Sequence, residues 1–438
     1  MAKINRKVAK FLPLLFSCAL ASCGGGSNET AVIAPTPPPA PSQPSPAPEP
    51  TPLPLSTLSY ENRHNAPIEF SKLPERAIVT GTFEANKNYD IRTLAFADFF
   101  GNGTYSAITA MPKYANVYKE DNPLKYPDSP AEVVFLKRSP EGKWQEATQE
   151  LMSATSSRDI CITPGFAEIA DLNNDKRPDV FFSCTGLDFY SVNLPPPGHP
   201  DYPGNSDQFV LLSQPDEKYA VKKLDIGKLY SHQASLVDLD SDGNVDILSV
   251  DPSSNKRPVV LFGQGNGNFR LDKSRFPAET YDQNIYSIRA FKQDGRLHVM
   301  LAGHPPDIGT QSNWEFPTKI YTYENGVFRL KTDLSNVLPV MNNGKSKGMP
   351  LDFLLFDGNY YGLFVSNGYA SVAIAKIKAD GTQGQILKEY KSSDFVGYGG
   401  LIKIDPNKNV ITHQGNCNEP LSTTSFSYEA CSLKIPIE

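Results

Sequence analysis

Two stretches of this chain, 67 residues apart, carry the same spacing of acidic side chains. One reads Ala170-Asp171-Leu172-Asn173-Asn174-Asp175-Lys176-Arg177-Pro178-Asp179-Val180, the other Val237-Asp238-Leu239-Asp240-Ser241-Asp242-Gly243-Asn244-Val245-Asp246-Ile247. Both fit D-x-[DN]-x-D-x-x-x-D. Each is preceded by a short apolar run (Phe166 to Ala170, Ala234 to Val237) and followed by another (Val180 to Ser183, Ile247 to Val250). Short apolar runs of this kind bounded by polar turn residues read as strands, so the local unit is strand, acidic turn, strand.

Weaker copies of the unit surround Asp98 to Ser106, Gln293 to Arg296, Asp357 to Asn359 and Pro406 to Asn409. With turns at residues 103, 176, 243, 295, 358 and 408 the repeat averages about 61 residues, a length that suits a propeller blade rather than one coil of a β-helix. Each unit continues into two more strand candidates, such as Gln208 to Leu212 with Tyr219 to Leu224, and Val259 to Phe262 with Asn268 to Leu271. Between the latter pair, Gly263-Gln264-Gly265-Asn266-Gly267 supplies residues that accept positive φ. Four antiparallel strands per repeat make a propeller blade.

With those motifs the chain resembles the FG-GAP/VCBS repeat family, the blades of integrin-α-type propellers, over about residues 75 to 438. The expected fold is an all-β propeller of six four-stranded blades, with seven as the alternative count. The last repeat is one strand short and Arg76 to Phe83 is a spare strand ahead of the first, so that strand is expected to close the ring. The resemblance also implies calcium, held by side chains at loop positions 1, 3, 5 and 9 and by the carbonyl at position 7. That assigns Asp238, Asp240, Asp242, Asn244 (carbonyl) and Asp246 to one site, and Asp171, Asn173, Asp175, Arg177 (carbonyl) and Asp179 to the other. Hard cations take six to eight such oxygens. An EF-hand is disfavoured, because its twelfth-position glutamate would fall on Phe182 or Ser249. The competing reading is that both are solvated Asp/Asn turns. A calcium ion here would be structural, relieving repulsion among crowded carboxylates.

The N-terminus carries an address. Lys3, Arg6, Lys7 and Lys10 precede an apolar run from Phe11 to Leu20, the pattern of a secretory signal and too short for a spanning helix. Leu20-Ala21-Ser22-Cys23 resembles a bacterial lipobox, which implies cleavage after residue 22 and lipidation of Cys23. Gly24, in place of a retention aspartate, implies the outer membrane. Eleven of the twenty residues from Pro35 to Pro54 are proline, which forbids helix and ladder alike. At about 3.1 Å per residue in the polyproline II form this segment would make a stalk of roughly 60 Å. The expected division is thus a signal (1–22), a lipidated stalk (23–60) and a propeller (61–438).

The full chain has 42 basic against 48 acidic residues; removing the signal leaves 38 against 48. Such an acidic balance offers no footprint for nucleic acid. Of six cysteines, Cys161, Cys184, Cys417 and Cys431 remain once Cys18 and Cys23 are set aside. Export permits disulfides, and of three pairings the local one, 161 with 184 and 417 with 431, is the simplest.

The loops between second and third strands are long in three repeats: Met111 to Pro130, Thr185 to Asp207 and Ala302 to Phe316. They gather Tyr114, Tyr118, Tyr126, Tyr190, His199, Tyr202, His304 and Trp314, which either bind a ligand or cap the channel by packing together. The chain shows no hydrolase, metalloprotease, nucleotide or dinucleotide motif in a fitting context. The expected function is a non-enzymatic binding or scaffold module for a protein or glycan of the envelope or host. The alternative is a carbohydrate-active enzyme, a lyase or hydrolase, with the long-loop rim as its cleft.

Overall fold

A computed structural model of the chain describes residues 76–82, 90–104, 106–114, 127–138, 144–185, 206–251, 257–303, 317–341, 346–366, 371–378, 384–391, 396–405, 410–416 and 425–436. The signal, Cys23 and the proline-rich segment lie outside the described residues. No helix among the described residues is long and apolar enough to cross a membrane.

The strands, in chain order, are β1 (Arg76–Thr82), β2 (Asp90–Ala97), β3 (Ser106–Tyr114), β4 (Pro127–Arg138), β5 (Trp144–Glu146), β6 (Pro164–Ala170), β7 (Asp179–Cys184), β8 (Phe209–Ser213), β9 (Tyr219–Lys223), β10 (Ala234–Val237), β11 (Asp246–Asp251), β12 (Arg257–Gly263) and β13 (Phe269–Asp272). They continue with β14 (Ile285–Gln293), β15 (Arg296–Gly303), β16 (Lys319–Glu324), β17 (Val327–Asp333), β18 (Val340–Met341), β19 (Ser346–Lys347), β20 (Met349–Phe356), β21 (Asn359–Val365), β22 (Ser371–Lys378), β23 (Gln385–Lys391), β24 (Val396–Asp405), β25 (Val410–Asn416) and β26 (Ser425–Pro436). One turn of helix, α1 (Thr148–Leu151), interrupts them.

Four of the sheets have four antiparallel strands in chain order: β6 to β9, β10 to β13, β14 to β17 and β20 to β23. An eight-stranded sheet runs β2-β3-β4-β5-β1-β26-β25-β24, and a small ribbon pairs β18 with β19. Its two halves meet at a single parallel bridge, Val79 to Trp144, whereas β1 and β26 pair over seven positions from Arg76 with Cys431 to Thr82 with Ser425. The first strands touch in succession, β2 with β6, β6 with β10, β10 with β14, β14 with β20 and β20 with β24, and β24 returns to β2. A ring of sheets with each first strand innermost is a β-propeller, as expected from the repeats.

The burial pattern explains the radial order. Ala234–Val237 and Asp246–Asp251, first and second strands of one blade, are buried at every position because neighbouring sheets cover both faces. Fourth strands are the open edges, and Lys222, Lys223, Arg270, Arg329 and Lys331 place charge there, which discourages edge-to-edge pairing. The core consists of apolar seams between adjacent sheets, for example Ala170, Phe181, Val210 and Leu212 against Ala234, Leu236, Ile247 and Leu261. At the inner strands a polar knot replaces apolar packing. Arg289 on β14, fully buried, donates to Glu168 Oε1 on β6 (2.9 Å) and to the Ala234 carbonyl on β10 (2.6 Å) and pairs with Asp352 Oδ1 on β20 at 3.3 Å. Gln233 adds a second tie, donating to the Leu351 carbonyl and accepting from the Ile288 amide.

Turns between first and second strands emerge on one face of the ring, together with those between third and fourth strands. Connections between second and third strands emerge on the other. In the first long loop the strands reach further than the sequence suggested: β3 runs to Tyr114 and β4 starts at Pro127, leaving a shorter connection.

Candidate metal centre

The acidic turns join β6 to β7 and β10 to β11, and they share two left-handed positions and the bonds of their first aspartate. In each, the fourth and sixth residues are left-handed: Asn174 (φ 63°) and Lys176 (68°), Ser241 (63°) and Gly243 (87°). The first aspartate folds the turn over itself. Asp171 accepts from the amides of Asp175 (3.0 Å) and Lys176 (2.8 Å), and Asp238 from those of Asp242 (3.1 Å) and Gly243 (3.1 Å).

The ninth aspartate anchors the turn to the blade. Asp179 accepts from the Leu172 amide (2.8 Å) and, through its other oxygen, from the amide (2.7 Å) and hydroxyl (2.9 Å) of Ser213 at the end of β8. Asp246 does the same with the amides of Leu239 (2.9 Å) and Gly263 (2.7 Å) at the end of β12. Both carboxylates are buried, and burial raises each to about 7, against the pull of these amide donors. In Asp171 burial likewise outweighs two amide donors and raises the pKa.

Three carboxylates converge in each turn. Asp171, Asp175 and Asp179 offer oxygens that all lie within 4.8 Å of one another, and so do Asp238, Asp240 and Asp246. Of the ten residues expected as ligands, these six come together by side chain. Asn173 lies beside its triad, its amide nitrogen 3.3 Å from Asp175 Oδ2 and bonded to the Ser213 carbonyl (3.0 Å). Asp242 stands outside its triad; its exposed carboxylate accepts from the Asn244 amide and side chain, both at 2.8 Å, which lowers its pKa. Arg177 turns its guanidinium to the carbonyls of Gln214 (3.3 Å) and Glu217 (3.1 Å), and lies over the Tyr219 ring. The donors are hard, anionic and crowded, a set that could hold a metal ion.

Two features of this face were not read from the sequence. Ser213 bridges Asp175 Oδ2 (2.5 Å) and Asp179, completing the acidic cup from a different strand. The two turns also touch: Asn174 donates to Asn244 Oδ1 (2.7 Å), and the Gly267 amide of the β12–β13 turn bonds to the Leu172 carbonyl (3.0 Å). At Gly265 (φ +68°) a Cβ would lie 2.3 Å from Asn244 Oδ1 and 2.5 Å from Asn174 Nδ2, so only glycine fits that contact. The degenerate turn at Asp98 has the same shape, with Gly101 (64°) and Gly103 (78°) left-handed and Asp98 capping the Asn102 (3.0 Å) and Gly103 (2.7 Å) amides. Ser106 replaces the ninth carboxylate there and binds the Phe99 amide (3.2 Å). The glycines at its fourth and sixth positions were the signal.

Cys161 and Cys184 form a disulfide that ties the approach to β6 to the end of β7, as the local pairing anticipated. Cys417 and the side chain of Cys431 lie outside the described set. On the opposite face Tyr114 is the last residue of β3, while Tyr118, Tyr126, Tyr190, His199, Tyr202, His304 and Trp314 fall outside the described residues.

No protein-family model matches the chain, and no curated protein sequence does. Solved structures resemble it in shape. A thermostable family-43 glycoside hydrolase is 11% identical over 65% of this chain and 94% of its own, with a TM-score of 0.38. A lectin of Agrocybe aegerita that recognises non-reducing terminal N-acetylglucosamine is 11% identical over 79% and 86%, with 0.43. The polysaccharide lyase Uly1 is 7% identical over 82% and 90%, with 0.37.

Proposed function

We propose that the chain is a calcium-binding propeller of the FG-GAP/VCBS type, tethered by a lipid on Cys23 to the bacterial outer membrane and acting as a non-enzymatic binding or scaffold module. Counting the eight-stranded sheet as two blades sharing the seam at β1 makes six blades. The observation that carries the metal reading is the pair of carboxylate triads in turns that share left-handed fourth and sixth residues. An ion in each would offset the repulsion among the aspartates and stiffen the link between first and second strands. The partner, a protein or glycan, would meet the long-loop face, leaving the calcium turns as supports.

Melting of the chain with calcium, with chelator and with magnesium tests the metal reading. Calcium at about 100 times its dissociation constant should add about 2.7 kcal/mol of stability for each site it fills. Replacing both Asp179 and Asp246 with asparagine should remove the calcium-dependent part of the shift. An unchanged melting temperature in chelator would make both loops ordinary turns. Turnover of a polysaccharide, abolished by neutralising one acid or base on the long-loop face, would replace the binding module with an enzyme.

A further inference from the structure

The blade of β14 to β17 departs from the two blades before it at the position where they carry their acidic loops. Its first two strands are joined by only Asp294-Gly295, both left-handed (φ 53° and 72°), a tight hairpin turn in place of the long loop. The register is preserved. Ala170 pairs with Asp179, Val237 with Asp246 and Gln293 with Arg296, so Arg296 stands where the other two blades place the buried ninth aspartate. A guanidinium stands where they have a carboxylate, and only a two-residue turn closes this end of the strand pair.

Arg296 lines a cleft of about 460 Å³ whose walls also include His298, Glu324, Arg329, Leu330 and Lys331. Its volume is that of small-molecule sites in general. Consecutive strand residues normally point to opposite faces, yet Arg329, Leu330 and Lys331 all line it. A β-bulge interrupts the alternation here: Ile320 pairs with Thr332 and Tyr321 with Leu330, so Lys331 is the extra residue. Its ammonium donates to Gln293 Oε1 (2.7 Å), a neutral acceptor. Arg296 pairs with Glu324 at 3.1 Å, while Arg329 makes no hydrogen bond or ion pair among the described residues. Burial first, then the charge of Lys331, push His298 down to about 4. At neutral pH the cleft therefore holds three cations against Asp294 and Glu324, in a chain that is acidic as a whole. Leu330 is 49% exposed, one of two large hydrophobic side chains so exposed among the described residues.

We propose that this cleft is a binding site for an oxyanion, a carboxylate, sulfate or phosphate group held by Arg329, Lys331 and Arg296, on a carrier whose apolar side rests on Leu330. Strands rather than loops position the cationic groups. The site lies on the turn face and needs no ion in the acidic loops.

Titration calorimetry of the full chain at low ionic strength, with inorganic sulfate, inorganic phosphate, glucuronate and glucose, tests it. Saturable binding of at least one anion is expected, with none of glucose. Lys331→Gln combined with Arg329→Gln should weaken that binding at least tenfold, and Arg329→Gln alone, an exposed change, should weaken it measurably without moving the melting temperature. Lys223→Gln, on the edge of another blade, should leave it unaltered. Tighter binding of glucuronate would point to an acidic sugar and of sulfate or phosphate to an inorganic or esterified group; either supports the site. Absence of saturable binding for all three anions, equal binding of glucose and glucuronate, or unchanged affinity in the double variant would overturn it.

Discussion

Asp98, Asp171 and Asp238 fold three turns of the same shape, although only the last two sit among other carboxylates. A first-position aspartate folds all three turns, and what separates an acidic cup from a plain turn is the rest of the set: Ser106 stands at the ninth position in place of Asp179 or Asp246, and Phe100 and Asn102 leave the third and fifth without a carboxylate. The sequence spacing made the two full loops legible; it could not reveal Ser213, which reaches its triad from 34 residues beyond Asp179. His298 was equally hidden, since a lone histidine in a strand carries no pattern. It is 3% exposed, beside the Thr322 hydroxyl at 2.8 Å, with its pKa lowered to about 4. The unfolded chain takes up a proton on this residue near pH 6.5 while the folded one resists until about 4, so stability falls as the pH drops through that window. Linkage sets the loss at about 3 kcal/mol near pH 4. Denaturant unfolding between pH 7 and 4, with calcium saturating, should show His298→Gln losing less stability than the parent; parallel curves would remove the histidine from the acid response.

At the scale of elements, alternation and turn chemistry predicted most strands of the central repeats within a residue or two, because Asn and Gly punctuate them clearly. Expected runs such as Val259 to Phe262 became β12 from Arg257 to Gly263. What escaped were devices that need a partner strand to exist, such as the bulge at Lys331 and the bridge between Val79 and Trp144. The disulfide belongs to this scale as well. Cys161 and Cys184 are 23 residues apart and enclose the hairpin that carries the Asp171 loop. Closing a loop of that size restricts the unfolded chain by about 3 kcal/mol in the chain-entropy account. Substituting both cysteines with alanine should lower unfolding free energy by about that amount, read from urea curves. A weakened calcium-dependent shift should accompany it if the hairpin holds the loop in shape.

For the whole molecule, the repeat count and the spare first strand indicated a closed ring, but nothing in the sequence marked Arg289 as its central tie. It reaches three other inner strands, and both its carboxylate partners are buried. Replacing a buried charge and leaving its partners unpaired is costly, so Arg289→Met should destabilise the chain by about 3–5 kcal/mol. Adding Glu168→Gln and Asp352→Asn to that variant should recover part of the loss. Denaturant midpoints for the single and triple variants check both statements.

The seam between β1 and β26 has a mechanical side. Any tension on the chain upstream of Arg76 is delivered first to β1, whose hold on the ring is the seven-position pairing with β26 and the single bridge to β5. A pull along the strand must shear those seven positions together, whereas a pull across it would peel them one at a time. The strand that completes the ring is thus also its strain-bearing joint, and the direction of the load decides how much force that joint withstands.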